Sequence, residues 1–283
     1  MGYGCIFLAH ELMLYYERSG SPYILPTHEF SYFHQEKKIA MHTETVTYYD
    51  ADQRLTGQYF NPFPQQTGQP AVILFSAFEG ISPFSVGYAK KLAAEGYIVF
   101  LADIYGEGRC ASTLDECFQF IQPFLADRAL VRRRANLALK ACQAIPGVDS
   151  SRIGAIGFCF GGMCLLELAR SGAPLRAGVT LHGVLAPSHL PTLPIHTALL
   201  ILQGYADPQV PPTAISIFAE EMKAADTSDW SMVLFGLAQH SFTDPATGTY
   251  DPVREAEMGR VYDPLAAQRS YQYTVVFLKE QLQ

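Results

Sequence analysis

The chain has 283 residues, 49% of them apolar and 17% charged, with a net charge of −7 at neutral pH. So apolar and sparsely charged a chain can bury a large core, which excludes disorder over most of its length. The negative balance excludes the basic face that a nucleic-acid binder needs, and no apolar run reaches the roughly 18 residues that span a bilayer. The basic cluster Arg132-Arg133-Arg134 falls in a helical pattern and reads as a solvated face. The opening MGYGCIFLAHELML lacks a positive n-region and carries His10 and Glu11, so a signal peptide is not expected. Ile6 stands where a myristoylation motif wants Ser or Thr. Six cysteines without a CxxC pair point to a reduced, cytoplasmic protein rather than a disulfide scaffold.

Residues 1–40 are aromatic-rich and irregular; only ELMLYYE (11–17) fits a short helix. They read as an N-terminal extension, an arm or a non-native start, without chemistry of its own, and the domain proper spans 41–283. TETVTYYD (43–50) and RLTGQYF (54–60) have the β-branched and aromatic content of strands. AVILFS (71–76) and YIVFLA (97–102) are unbroken apolar runs of the kind buried on both faces of a sheet. A helix over 85–95, closed by Gly96, separates them. Helical patterns follow over about 113–122 and 127–144, then a strand over RIGAIGF (152–158) and a helix from about 161. Further strands fit 177–182, 197–204 and 230–235, with helices over 212–225 and 263–282. Buried strands alternating with helices predict an α/β fold: a mostly parallel, doubly wound sheet of about eight strands, edged by the antiparallel pair at the front.

The sharpest local signal is Gly157-Phe158-Cys159-Phe160-Gly161-Gly162, between a buried strand and a helix. A nucleophile elbow needs this arrangement: small residues flank a turn so tight that the central side chain is forced out at the sheet's carboxyl edge. The helix that starts there turns its N–H groups and positive dipole end toward that side chain, which favours a thiolate at Cys159. The competing readings are a buried free cysteine in a glycine-rich turn or a phosphate loop, and the latter lacks its Lys-Ser/Thr. An elbow also needs an acid and then a histidine in that chain order. Asp207, in LQGYADPQVP, follows the strand over 197–204; His240, in GLAQHSFTDP, follows the strand over 230–235. Both stand at the carboxyl edge, where sites collect in open α/β sheets.

G-F-C-F-G-G, L-Q-G-x-x-D and A-x-H-S-F together resemble the dienelactone hydrolase family of α/β-hydrolases, and YDPLAAQRSYQYTVVFL resembles its closing helix. The likeness runs from about residue 43 to the C-terminus. It implies an α/β-hydrolase fold and hydrolysis of an ester or lactone through a Cys159–His240–Asp207 triad and a thioester acyl-enzyme. It also implies that Glu79, in AVILFSAFEGI, contacts the resting thiol and takes part in activating it. Backbone N–H groups of Phe160 and Gly80 are the expected oxyanion hole.

Candidate pocket residues are Phe78, Phe84, Tyr105, Arg109 and His182; for His182, packing behind the site is the alternative. The sequence departs from the type enzyme in one respect. Ser241-Phe242-Thr243-Asp244 follows His240 where the family's carboxylate clamp has an arginine, and Arg109 is the candidate for the clamp's other arginine. A carboxylate-bearing dienelactone therefore fits poorly, the more so if Asp244 lines the pocket. No His or Cys cluster has metal-ligand spacing, so no metal or cofactor is expected. The expected partner is a small-molecule ester or lactone, not nucleic acid or membrane, with the chain a monomer or homodimer. Alternatives are a general carboxylesterase or thioesterase on the same triad, and a catalytically silent binding module on this scaffold.

Overall fold

The computed structural model describes residues 41–227 and 229–283; the extension 1–40 and its short helix lie outside the described residues. Among the described residues the strands are β1 (His42–Asp50), β2 (Gln53–Asn61), β3 (Gln69–Phe75), β4 (Ile98–Ala102), β5 (Val148–Phe158), β6 (Ala177–Leu181), β7 (Ala198–Gly204) and β8 (Trp230–Phe235). The helices are α1 (Pro83–Ala93), α2 (Leu114–Ala126), α3 (Arg128–Gln143), α4 (Phe160–Arg170), α5 (Pro212–Ala224), α6 (Pro252–Glu257) and α7 (Pro264–Leu282). The eight strands form one sheet in the order β1-β2-β4-β3-β5-β6-β7-β8. All neighbours are parallel except β1–β2 and β2–β4. This is the expected α/β-hydrolase architecture, with the front hairpin along one edge.

The order places the switch point of the winding at β3 and β5. From β3 the chain passes through α1 to β4 on one side; from β5 it passes through α4 to β6 on the other. The loops leaving β3 and β5 thus part at the carboxyl edge and open a crevice between them. β4, β6 and the last six residues of β5 are buried throughout, which their apolar runs require.

Element ends differ from the sequence reading where tertiary partners overrule local pattern. β5 begins at Val148, not Arg152, because Val148 pairs with Gln69 of β3 across a bulge despite the polar Asp149-Ser150-Ser151. α2 runs through Pro123 to Ala126, since buried Phe124 holds its last turn against the core. Asp127 then caps α3 by accepting from the N–H groups of Ala129 and Leu130 at 2.8 and 3.1 Å.

The Arg132–Arg134 run is a solvated face only at Arg133. Arg133 and Arg134 both pair with Asp50 at the end of β1, and Arg134 is buried. Arg132 donates to Glu167 of α4. Glu167 is fully buried and also pairs with Arg170 at 3.2 Å and Arg128 at 3.6 Å, so it ties the helix behind the elbow to α3. A buried carboxylate that neutralises several guanidiniums leaves them stranded when removed. Glu167→Ala is expected to lower unfolding free energy by about 3–5 kcal/mol in urea titrations; a loss near zero would mean the arginines find solvent instead.

Candidate active site

β5 ends at Phe158 and α4 starts at Phe160, leaving Cys159 alone to turn the chain, at φ 50° and ψ −113°. Such a conformation is strained for a side-chain-bearing residue and persists because the surroundings permit nothing else. A Cβ on Gly157 would overlap the Gly161 carbonyl oxygen, and one on Gly161 would overlap that of Phe75. The Cys159 N–H donates to the Leu181 carbonyl at 3.1 Å.

The two other loops converge on the sulfur by backbone pairing. The Ala206 N–H donates to the Ala238 carbonyl at 3.1 Å and the Tyr205 N–H to that of Phe235 at 2.9 Å, which fastens the Asp207 loop to the His240 loop. His240 Nε2 then lies 2.9 Å from Cys159 Sγ, and its Nδ1 lies 2.8 Å from Asp207 Oδ2. Asp207 is itself held by Gln203 Nε2 at 2.9 Å and by the Gln209 N–H at 2.8 Å. Cys159, Asp207 and His240 are all buried. Burial works against a charged His240, but the Cys159 sulfur and the Asp207 carboxylate outweigh it and raise the imidazole to about 9. The arrangement can take a proton from sulfur and hold it.

Glu79 follows β3 in the crevice and is buried, with Oε2 lacking a hydrogen-bond partner. Among the described residues Sγ hydrogen-bonds to His240, with no hydrogen bond to Glu79. Burial pushes the Glu79 carboxyl up to about 7; Arg260 pulls it down, and Asp244 and Glu255 push it further up.

Arg260 went unrecognised in the sequence. It stands far past His240, but the Val261 N–H donates to the His240 carbonyl at 3.0 Å and the Asp263 N–H to that of Phe242, carrying Arg260 alongside. Its guanidinium is buried, donates to Glu255 Oε2 at 3.0 Å and lies 4.5 Å over the Phe78 ring. A His240–Arg260 strand bridge leaves no local pattern, so no sequence signal pointed to it.

The remaining candidates separate. Phe84 and Asp244 line a cleft of about 230 Å³ together with Glu79. Tyr105 is buried, donates to the Phe78 carbonyl at 3.1 Å and stacks on Phe160. The Arg109 side chain donates to the Tyr105 and Gly106 carbonyls of its own loop. His182 is buried behind His240, its ring 5.4 Å from that imidazole and its Nε2 hydrogen-bonded to Thr243 Oγ1 at 2.8 Å. Of the expected oxyanion donors, the Phe160 N–H opens α4, where no helical acceptor exists. The Gly80 N–H donates to the Ala77 carbonyl at 3.2 Å.

Because the folded state holds the Glu79 proton above the ordinary value of 4.5, its stabilising contribution is complete below pH 4.5 and drains away as pH rises through about 7. Glu79→Gln removes that dependence. Its stability relative to wild type is expected to improve by about 3 kcal/mol between pH 4.5 and 8 in urea titrations; a difference independent of pH would contradict a buried, proton-holding Glu79.

Comparison with known proteins identifies the family. The family model described as the dienelactone hydrolase family matches residues 59–282. The crystal structure of a dienelactone hydrolase-like promiscuous phosphotriesterase from metagenomic libraries is 33% identical, with a TM-score of 0.77, over 86% of this chain and 99% of that one. An uncharacterized protein of Caenorhabditis elegans is 36% identical over 53% of this chain and 93% of its own length. A carboxymethylenebutenolidase homolog of Xenopus tropicalis is 25% identical over 62% of this chain and 71% of its own length. With the matched segment running from β2 to the last helix, the chain belongs to the dienelactone hydrolase family, and it is a carboxylic ester hydrolase.

Proposed function

We propose that the chain hydrolyses esters or lactones of small molecules with Cys159 as nucleophile. The observation that carries this is the unbroken line from Sγ through the His240 ring to the Asp207 carboxylate, 2.9 and 2.8 Å at its two contacts. Nε2 takes the thiol proton, and Asp207 fixes the tautomer and stabilises the imidazolium. The sulfur adds to the carbonyl carbon. The oxygen that gains the electron pair faces the Phe160 N–H, and the Gly80 N–H joins it by giving up its long bond to Ala77. As the tetrahedral adduct collapses, the C–O bond breaks and His240 returns its proton to the leaving oxygen. A thioester on Cys159 remains. Water, deprotonated by His240, then releases the acid and restores the thiol.

A thiolate leaves a tetrahedral adduct more readily than an alkoxide does, so this centre suits activated esters and enol lactones better than amides. Glu79, at about 7, is poised to exchange a proton near neutral pH, and its carboxyl lines the cleft as a candidate partner for the resting thiol. Arg260 alters the substrate expectation. The sequence argued against a carboxylate-bearing lactone for want of an arginine near His240, and this guanidinium supplies the missing cation. Glu255 and Glu79 already draw on its charge, so a substrate anion competes with them.

On a panel of p-nitrophenyl esters and five-membered lactones, Cys159→Ala is expected to abolish turnover. Asp207→Asn is expected to lower kcat about 10³- to 10⁴-fold by allowing the wrong tautomer. Acid-quenched wild type should carry an acyl mass on the peptide containing Cys159. Full turnover by the alanine variant would refute the assignment.

A further inference from the structure

A second cavity, of about 640 Å³, lies between α1 and α7. It shares Pro83 and Phe84 with the Glu79 cleft, and the segment after His240 contributes Thr243 and Pro245 to its lining. Its chemistry differs from the cleft's. Glu79 and Asp244 put carboxylates in the cleft. No carboxylate of the described residues lines the larger groove, whose walls include the rings of Phe84, Tyr88, Tyr262 and Tyr271. Lys91 Nζ lies 3.6 Å over the centre of the Tyr271 ring and leaves an aliphatic stem along the groove.

We propose that this groove is the leaving-group subsite: it takes the apolar alcohol portion of an ester, an alkyl chain or an aryl group, whose carbonyl is attacked at Cys159. The inference rests on the reaction proposed above and specifies its substrate class. The side of the ester follows from proton transfer. His240 must hand its proton to the departing oxygen, so the alcohol leaves on the histidine's side of the sulfur. Thr243 and Pro245 are in the loop that carries His240, and Thr243 is also the hydrogen-bond partner of His182 behind that ring. The acyl part faces the other way, toward the cleft with its two carboxylates.

Gly87 supplies the test. It lies inside α1 on the groove wall, its φ is not positive, and a Cβ there meets nothing within 4 Å. A side chain at this position fills the groove without straining the helix, where glycine is the poorer former. Two series are compared, alkyl acetates from methyl to decyl and p-nitrophenyl esters from acetate to decanoate, in wild type, Gly87→Ala and Gly87→Phe. In wild type, kcat/KM is expected to rise about two- to fourfold for each methylene added on the alcohol side. Gly87→Phe should curtail that rise, with at least a tenfold loss on decyl acetate and none on methyl acetate, while Gly87→Ala keeps it.

Calorimetry with 1-octanol separates binding from chemistry: wild type should bind it and Gly87→Phe at least tenfold more weakly. A chain-length effect on the acyl series alone would overturn the assignment of the leaving group. Unchanged octanol binding in Gly87→Phe would overturn the groove as a site. Octanol binding lost in Gly87→Phe together with no turnover of any ester would refute the catalytic reading and leave the groove standing.

Discussion

The backbone of β5 lies so close to the start of α4, and α4 so close to the end of β3, that neither Gly157 nor Gly161 has room for a methyl group. That crowding, more than any hydrogen bond, determines what residue 159 can do. It forces the one residue between strand and helix to a positive φ and pins its side chain at the sheet's carboxyl edge. The surroundings stabilise the turn from both sides. Leu181 takes the Cys159 N–H, and the buried Glu167 network anchors the helix behind it. Strain of this kind, of order 1–3 kcal/mol, persists only where the fold over-determines it.

Beside the turn, the Arg260 guanidinium lies among several buried acids. Glu79, Asp244 and Glu255 crowd Arg260, and its guanidinium is satisfied by Glu255 and by the Phe78 ring. Glu79 is left with an oxygen that no group among the described residues satisfies. A buried carboxylate in that position is costly unless it binds a proton or a partner, and both fit a group that exchanges a proton with the reacting centre. Behind His240, His182 is driven well below the ordinary imidazole range by burial and by its neighbours His240 and Arg260, so it remains neutral. In the proposed reaction the proton lost by the sulfur therefore has one imidazole to go to.

Much of the architecture was legible because its signals are local. The apolar runs that became β3, β4, β6 and β7 announce strands buried on both faces, and the glycines around Cys159 announce the turn. The order of Cys159, Asp207 and His240, each just past a strand, located three side chains that the sheet brings into hydrogen-bond contact. What escaped depends on partners distant in the chain. Arg132–Arg134 has a solvated pattern until Asp50 and Glu167 arrive from other elements. Arg260 reaches the site through a strand bridge with no periodicity, and α6 is too short to carry a face. The polar start of β5 extends only because β3 lies beside it. Nor does the sequence distinguish one wall from another: Phe84 lines the cleft with Glu79, whereas Tyr105 lines a far smaller space with Gly80 and Phe160.

The account depends on Cys159 and His240 acting as one unit, and selective alkylation measures that directly. Iodoacetamide at pH 7, followed by peptide mapping, should label Cys159 well before any of the other five cysteines, because the adjacent imidazole accepts the thiol proton. His240→Gln should slow that labelling at least tenfold and leave the other five unchanged. Labelling of Cys159 no faster than its neighbours, or unaffected by loss of the imidazole, would contradict the account.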